Sequence, residues 1–253
     1  MIKFETHLLT DIDRIEDIGA LHDHMIEEIR DSFEGRGAVI GVSGGKDSSV
    51  ALALLCEALT TDRVIAVLMP NGEQKDISDS YKICRHVGLA EDHIKVVNIA
   101  DAYNSIVKSV SAETEQCLIN IAPRLRMTTL YAIAQNQPTP YFVINTCNLS
   151  ENTVGYATKW GDASGDYSLF ENYTVTEIVA LGDYMGLPYE LVHKTPSDGL
   201  CGKSDEDNLG VSYATIDAFL YGEKIDEDDL YLILSKRTSG LHKLVPMKNI
   251  SRL

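Results

Sequence analysis

The sequence predicts an α/β fold, a doubly wound parallel sheet with helices on both faces. Three observations carry that expectation. Four short runs rich in Val and Ile (38–42, 64–69, 94–99 and 141–146) are flat in polarity, as strands buried on both faces of a parallel sheet are. Apolar residues at helical spacing fill the intervals between them. Each polar or glycine-rich stretch that could hold a ligand (43–49, 70–76 and 146–151) directly follows one of these runs. In such sheets, ligands bind beyond the carboxyl ends of the strands.

The elements follow in order. Ile12, Ile15, Ile18, His22, Met25, Ile26, Ile29 and Phe33 recur at helical spacing and mark an amphipathic N-terminal helix that stops near Gly35 and Gly37. The first strand run then leads into helical patterns at 48–59 and, after the second run, at 77–87. A long helical stretch, 113–135, precedes the fourth run, and another helix is expected over 175–185. Between 155 and 207 the character changes. Gly161, Gly165, Gly182, Gly186, Gly199 and Gly202, with Pro188 and Pro196, leave room for one clear helix, and such segments in an enzyme serve as binding loops or lids. Helix returns over 207–250, with Val211, Ile216, Phe219 and Leu220 as core. With no repeat or linker visible, the chain reads as one domain, 1–253, with residues 1–36 as a helical N-terminal extension.

Composition narrows the function classes. A length of 253 residues with 44% apolar and 24% charged residues suits one sizeable soluble domain. The first ten residues, with Lys3, Glu5 and His7, do not read as a signal peptide, and no apolar run reaches a membrane span, so a cytoplasmic protein without a membrane partner is expected. Cys56, Cys84, Cys117, Cys147 and Cys201 are scattered and odd in number, reading as reduced thiols; Cys201 alone lies in a glycine-rich loop. A net charge of −16 argues against nucleic acid as a partner. An anionic substrate must therefore be met by local positive groups. The run Asp226-Glu227-Asp228-Asp229 reads as a solvated helix start.

The most informative segment is Gly41-Val42-Ser43-Gly44-Gly45-Lys46-Asp47-Ser48-Ser49. Adjacent glycines let backbone approach an anion, serines add hydroxyls, and a following helix N-terminus aims free N–H groups at the same point. It is not a Walker A loop, because Ile40 stands where its first glycine would be and Asp47 follows the lysine. An acid inside a phosphate cradle requires an intervening divalent cation, so Asp47 implies Mg²⁺.

This loop resembles the pyrophosphate-binding loop of the N-type ATP pyrophosphatases, whose adenine nucleotide alpha hydrolase-like, Rossmann-like core would occupy residues 37–253. Within that superfamily the chain is most similar to the ammonia-dependent NAD synthetases, over nearly its whole length. The supporting segments are M-P-N-G-E-Q-K-D (69–76), R-L-R-M (124–127), N-L-S-E-N-T-V-G-Y-A-T-K-W-G-D (148–162), P-S-D-G-L (196–200), D-E-D-N-L-G-V-S-Y (205–213) and L-H-K (241–243). The resemblance implies a homodimer that amidates deamido-NAD with ammonia, using ATP as co-substrate and Mg²⁺. It places Gly41, Val42, Ser43, Gly44, Gly45, Lys46, Asp47, Ser48, Thr146 and Ser197 on ATP. Asp47 and Glu151 fall on the metal, and Lys46, Asp47 and Glu151 on the catalytic step. Arg126, Lys159, Asp166, His242 and Lys243 fall on deamido-NAD. Taken alone, Glu151 reads as a helix N-terminal acid and Asp166 as a turn cap.

Two departures stand out. Val175 occupies a position where the family usually places a phosphate-binding lysine, and Lys46 is the expected compensation. Asn145 and Asn148 stand where related sequences often carry Gly or Asp. An added glutaminase domain is not expected, so free ammonia is the expected nitrogen donor. Competing expectations are a tRNA-thiolating or GMP-aminating relative, disfavoured by the charge and the unpaired cysteines, and a non-catalytic nucleotide sensor.

Overall fold

A computed structural model describes residues 10–194 and 204–245. The first helix, α1 (Ile18–Phe33), starts at Asp17, whose carboxylate accepts the Ala20 N–H at 2.9 Å. Its buried stripe is Leu21, Met25, Ile26, Ile29 and Phe33. It ends at Glu34 and Gly35, both at positive φ. Then come β1 (Gly37–Gly41), α2 (Lys46–Leu59), β2 (Val64–Leu68), α3 (Ile77–His86), β3 (Ile94–Val96), α4 (Ala100–Ser109), α5 (Glu115–Gln135) and β4 (Tyr141–Asn145). The second half holds α6 (Leu149–Thr153), β5 (Tyr167–Ser168), α7 (Val175–Tyr184), α8 (Tyr189–Val192), α9 (Asp205–Leu209), α10 (Tyr213–Leu220) and α11 (Glu227–Leu244).

The five strands pair in parallel, in the order β3-β2-β1-β4-β5. The doubly wound expectation therefore holds. Alternate residues of β1 and β2 feed two different cores. Ala38, Ile40, Val64, Ala66 and Leu68 pack with α1, α2 and α7, while Val39, Ile65 and Val67 pack with α5. Phe33 anchors the first core, fully buried and edge-on to Phe142 and Tyr167 at 5.3 Å each. The chain turns outward from β1 to β2 on one side and to β4 on the other, so the crevice at the strand ends opens between β1 and β4.

Several boundaries differ from the sequence reading. The N-terminal pattern from Ile12 is not one helix: Ile12 instead donates its N–H to Leu220 O at 3.1 Å and packs with the C-terminal helices. The third run closes at Val96 and lies at the sheet edge, where Lys95 and Val96 are exposed, so it is not buried on both faces. The sequence reading also missed α4, α6, the two-residue β5 and α8, a second helix in the stretch expected to hold one. A third core of Leu149, Val154, Leu209, Val211, Tyr213, Ile216, Leu220 and Ile233 joins α6 to α9, α10 and α11. Among the described residues, no helix is long and apolar enough to cross a membrane.

Candidate active site

The loop between β1 and α2 is held by its own serines. Ser48 Oγ accepts the Ser43 N–H (3.2 Å), lies 3.1 Å from Ser43 Oγ, and donates to Gly45 O (3.2 Å). Ser43 Oγ accepts the Gly45 N–H at 3.2 Å. Gly44 has φ +81°, and a Cβ there would sit 2.6 Å from Asp79 Cβ and 2.8 Å from the Ser80 nitrogen of α3. Only glycine satisfies both the backbone angle and the packing. Gly45 caps α2 in extended conformation with no side-chain cap bond, so the helix N-terminus keeps open donors for an anion.

Asp47 and Glu151 come from different elements, and Asn148 ties them together. This fully buried side chain donates from Nδ2 to Asp47 Oδ1 (3.1 Å) and accepts the Glu151 N–H through Oδ1 (2.9 Å). Its own N–H donates to Glu151 Oε2 at 3.1 Å. Glu151 is thus the helix N-terminal acid that its position alone suggested, in a reciprocal capping box. That box engages Oε2 of its two oxygens. Burial, followed by the neighbouring Asp47 charge, pushes the Glu151 carboxyl up to about 8, against the pull of Lys46 and the Asn148 N–H.

Two oxygen-donor carboxylates that repel each other in a partly enclosed site suit a hard divalent cation. Among the described residues no group of three or more His, Cys, Asp or Glu could hold a metal alone, so part of the coordination must come from substrate or water oxygens. That pattern fits Mg²⁺, which keeps several non-protein ligands.

Lys46 is 5% exposed, and its ammonium donates to Asp47 Oδ2 at 2.9 Å. It also lies 5.2 Å from the centre of the Tyr213 ring. Burial disfavours the charged amine, but Asp47, Glu151 and Asp205 outweigh it and raise its pKa. Tyr213 is 3% exposed, and its hydroxyl has no hydrogen-bond partner among the described residues.

A cavity of about 870 Å³ opens over these groups. Gly41, Val42, Ser43, Gly45, Lys46, Asp47, Ser48, Arg126, Thr146 and Glu151 line it, so the loop, the two carboxylates, Thr146 and one of the expected deamido-NAD cations meet in one space. Arg126 Nε donates to Met69 O at 3.2 Å. Sequence reasoning missed Lys194, Asp162, Asp205 and Tyr156 on the same wall. Lys194 bridges Asp76 Oδ2 (2.6 Å) and Asp79 Oδ2 (2.7 Å), beside the point where Gly44 meets α3. Its adjacency to the P-S-D-G-L segment was the available signal. Ser197 and Cys201 lie outside the described residues. Cys147 also lines the cavity, but burial drives its thiol pKa well up, and it donates to Asp162 O at 3.1 Å.

The other expected deamido-NAD residues do not line this cavity. Lys159 donates to His242 O (2.6 Å) and Val245 O (3.2 Å), neutralising the carbonyl end of α11. Lys243 donates to Gly155 O at 2.8 Å, and His242 Nδ1 lies 2.9 Å from Ser239 O. The three gather where α11 crosses the segment after α6, next to a second cavity of about 180 Å³. Asp166 accepts the Val143 N–H (2.8 Å) and the Tyr131 hydroxyl (3.2 Å), a cap between β4 and β5. Val175 packs on the third core, and its N–H donates to Ser150 Oγ at 3.0 Å. Asn145, the other departure, donates to Asp162 O and Ser164 O and accepts the Cys147 N–H, fixing the chain after β4.

Comparison with known proteins shows what the chain is similar to. The family model described as NAD synthase matches residues 18–244. The chain is 35% identical over 245 residues to the NH(3)-dependent NAD(+) synthetase of Saccharolobus solfataricus, covering 93% of this chain and 86% of that protein. It is 37% identical over 210 residues to the enzyme of the same description from Pyrococcus horikoshii, covering 82% and 79%. Among solved structures, the NMN synthetase from Francisella tularensis superposes with a TM-score of 0.86 at 29% identity, covering 94% of this chain and all of that one.

Proposed function

The chain belongs to the NAD synthase family, and on that premise we propose that it amidates deamido-NAD with ammonia at the cavity between β1 and β4, consuming ATP. A carboxylate does not release oxide to ammonia. One nicotinate carboxylate oxygen therefore attacks the α-phosphorus of ATP, and pyrophosphate leaves. The ammonia nitrogen then attacks the acyl carbon, AMP leaves with the shared oxygen, and the nitrogen loses a proton to give the amide. The residues here position the reactants and meet developing charge. The Ser43–Gly45 backbone and the open end of α2 receive the departing pyrophosphate. Asn148 ties the Asp47 carboxylate to the start of α6 and, through its backbone N–H, holds the Glu151 carboxylate beside it. Mg²⁺ bound there would neutralise charge on the phosphate oxygens. Lys46 and Lys194 add positive charge to the same wall, where Val175 offers none.

The observation that carries this reading is the joining of Asp47 to Glu151 through buried Asn148, at the mouth of a loop built for phosphate. Mixing the protein with ATP, Mg²⁺, ammonium and deamido-NAD should give NAD, AMP and pyrophosphate in equal amounts; AMP release without the dinucleotide would count against it. A second acceptor deserves a parallel assay because of the likeness to an NMN synthetase: the nicotinic acid mononucleotide, the acid from which NMN would form by the same amidation. A higher kcat/KM with it than with deamido-NAD would move the assignment to that acceptor.

Lys159, Asp166, His242, Lys243 and Ser197 complete the acceptor and ATP contacts in this reading, with the C-terminal end of α11 closing on the dinucleotide. The functional unit is proposed to be a homodimer of one-domain chains, working in the cytoplasm. Light scattering on the purified protein tests the assembly.

A further inference from the structure

Lys46 lies inside the loop, and its side chain reaches the carboxylates. Its ammonium donates to Asp47 Oδ2, the oxygen that Asn148 leaves free, since Asn148 engages Oδ1. The charges of Glu151 and Asp205 act on it as well, and Tyr213 presents its ring face at 5.2 Å. A lysine side chain seldom has only 5% of its surface exposed without charge compensation. Here the compensation is the same pair of carboxylates that a divalent cation would need. Two cations cannot share them at contact distance without strong mutual repulsion.

We propose that Lys46 is a positioning residue, the resident counter-ion of the metal site. It neutralises Asp47, beside Glu151, until a divalent cation arrives, and it then leaves Asp47 and swings into the cavity. The proposal rests on the reading of Asp47 and Glu151 as metal carboxylates. In the displaced position the ammonium faces the phosphates, so loading of the cation and supply of the missing lysine charge become one event. The same chain position thus serves the carboxylates in the free enzyme and the nucleotide in the loaded one.

Mn²⁺ binding followed by electron paramagnetic resonance, without nucleotide, tests this on the full chain. Lys46→Met keeps the length and removes the charge. It should bind Mn²⁺ about tenfold more tightly than wild type, because the competitor is gone. Lys46→Arg keeps the charge and should stay within about twofold of wild type. Equal or weaker Mn²⁺ binding by Lys46→Met would overturn the proposal while leaving the metal site intact. No Mn²⁺ binding by wild type would remove the metal reading, and the counter-ion role with it. If Lys46→Met does not fold, acetylation of wild-type lysines read by mass spectrometry replaces it. Lys46 should be protected without Mn²⁺ and labelled with it; unchanged protection would reject the displacement.

Discussion

Asn148 shows how one buried side chain can set the geometry of a reaction it does not touch. Its two side-chain hydrogen bonds, with a third from its backbone N–H to the Glu151 carboxylate, tie Asp47 and Glu151 together from separate elements. Asn148→Ala should lower kcat/KM by about 10–100-fold and weaken α6 by about 1 kcal/mol, checked by steady-state kinetics and denaturant unfolding. Asp47→Asn, which removes charge and keeps shape, should reduce kcat by roughly 10²–10³-fold with the fold intact by circular dichroism. Glu151 makes a pH prediction. Its carboxyl is raised from 4.5 to about 8 in the fold, so the contribution it makes is complete below pH 4.5. That contribution is lost as pH rises through about 8. In EDTA, the melting temperature should therefore fall across that window. Excess Mg²⁺ or Glu151→Gln should flatten the decline, and a wild-type profile insensitive to Mg²⁺ would contradict the carboxylate pairing. Asp47 was legible in the sequence from its place in the loop, whereas Glu151 alone read only as a helix N-terminal acid and its metal role came from the resemblance. Asn148 looked like a departure, because its decisive bond spans 101 positions and leaves no local pattern.

Elements carry the next set of consequences. Helix α11 meets the segment after α6 backbone to backbone: a Cβ at Gly155 would lie 2.6 Å from Gly240 Cα, and Gly155 has φ +62°. Gly155→Ala should cost about 1–3 kcal/mol and displace α11, while Lys159 and Lys243 lose their carbonyl partners. Loss of deamido-NAD affinity with ATP affinity retained would place that junction on the acceptor side; equal loss of both would place it in general stability. The strands and long helices were legible because continuous apolar runs and 3.6-residue spacing are local signals. Short elements were not. Helix α6 is five residues long and is started by the Asn148–Glu151 box, and β5 is two residues paired to Ile144 and Asn145. Strand β3 has the same Val/Ile look as β1, but its place at the sheet edge leaves it exposed.

At the scale of the whole molecule, a net charge of −16 opposes every anionic substrate. Raising ionic strength from 0.01 to 0.15 M at fixed free Mg²⁺ should therefore increase kcat/KM for deamido-NAD by about 2–5-fold through screening. A fall instead would mean that Lys46, Arg126 and Lys194 dominate the approach as well as the binding. The sequence by itself determined the alternating α/β architecture and the glycine- and serine-rich loop after β1 with its acid, Asp47. Each depends on neighbours along the chain: runs of Val and Ile, adjacent glycines, an acid beside them. Only the tertiary structure decided that Val175 packs into a core away from the cavity, that Lys194 reaches the cavity wall beside the loop through Asp76 and Asp79, and that Lys46 is buried against Asp47. The first two outcomes are set by packing and by charges brought together from distant positions; Lys46 and Asp47 are chain neighbours, and what the fold adds to them is the burial that holds the ammonium on the carboxylate.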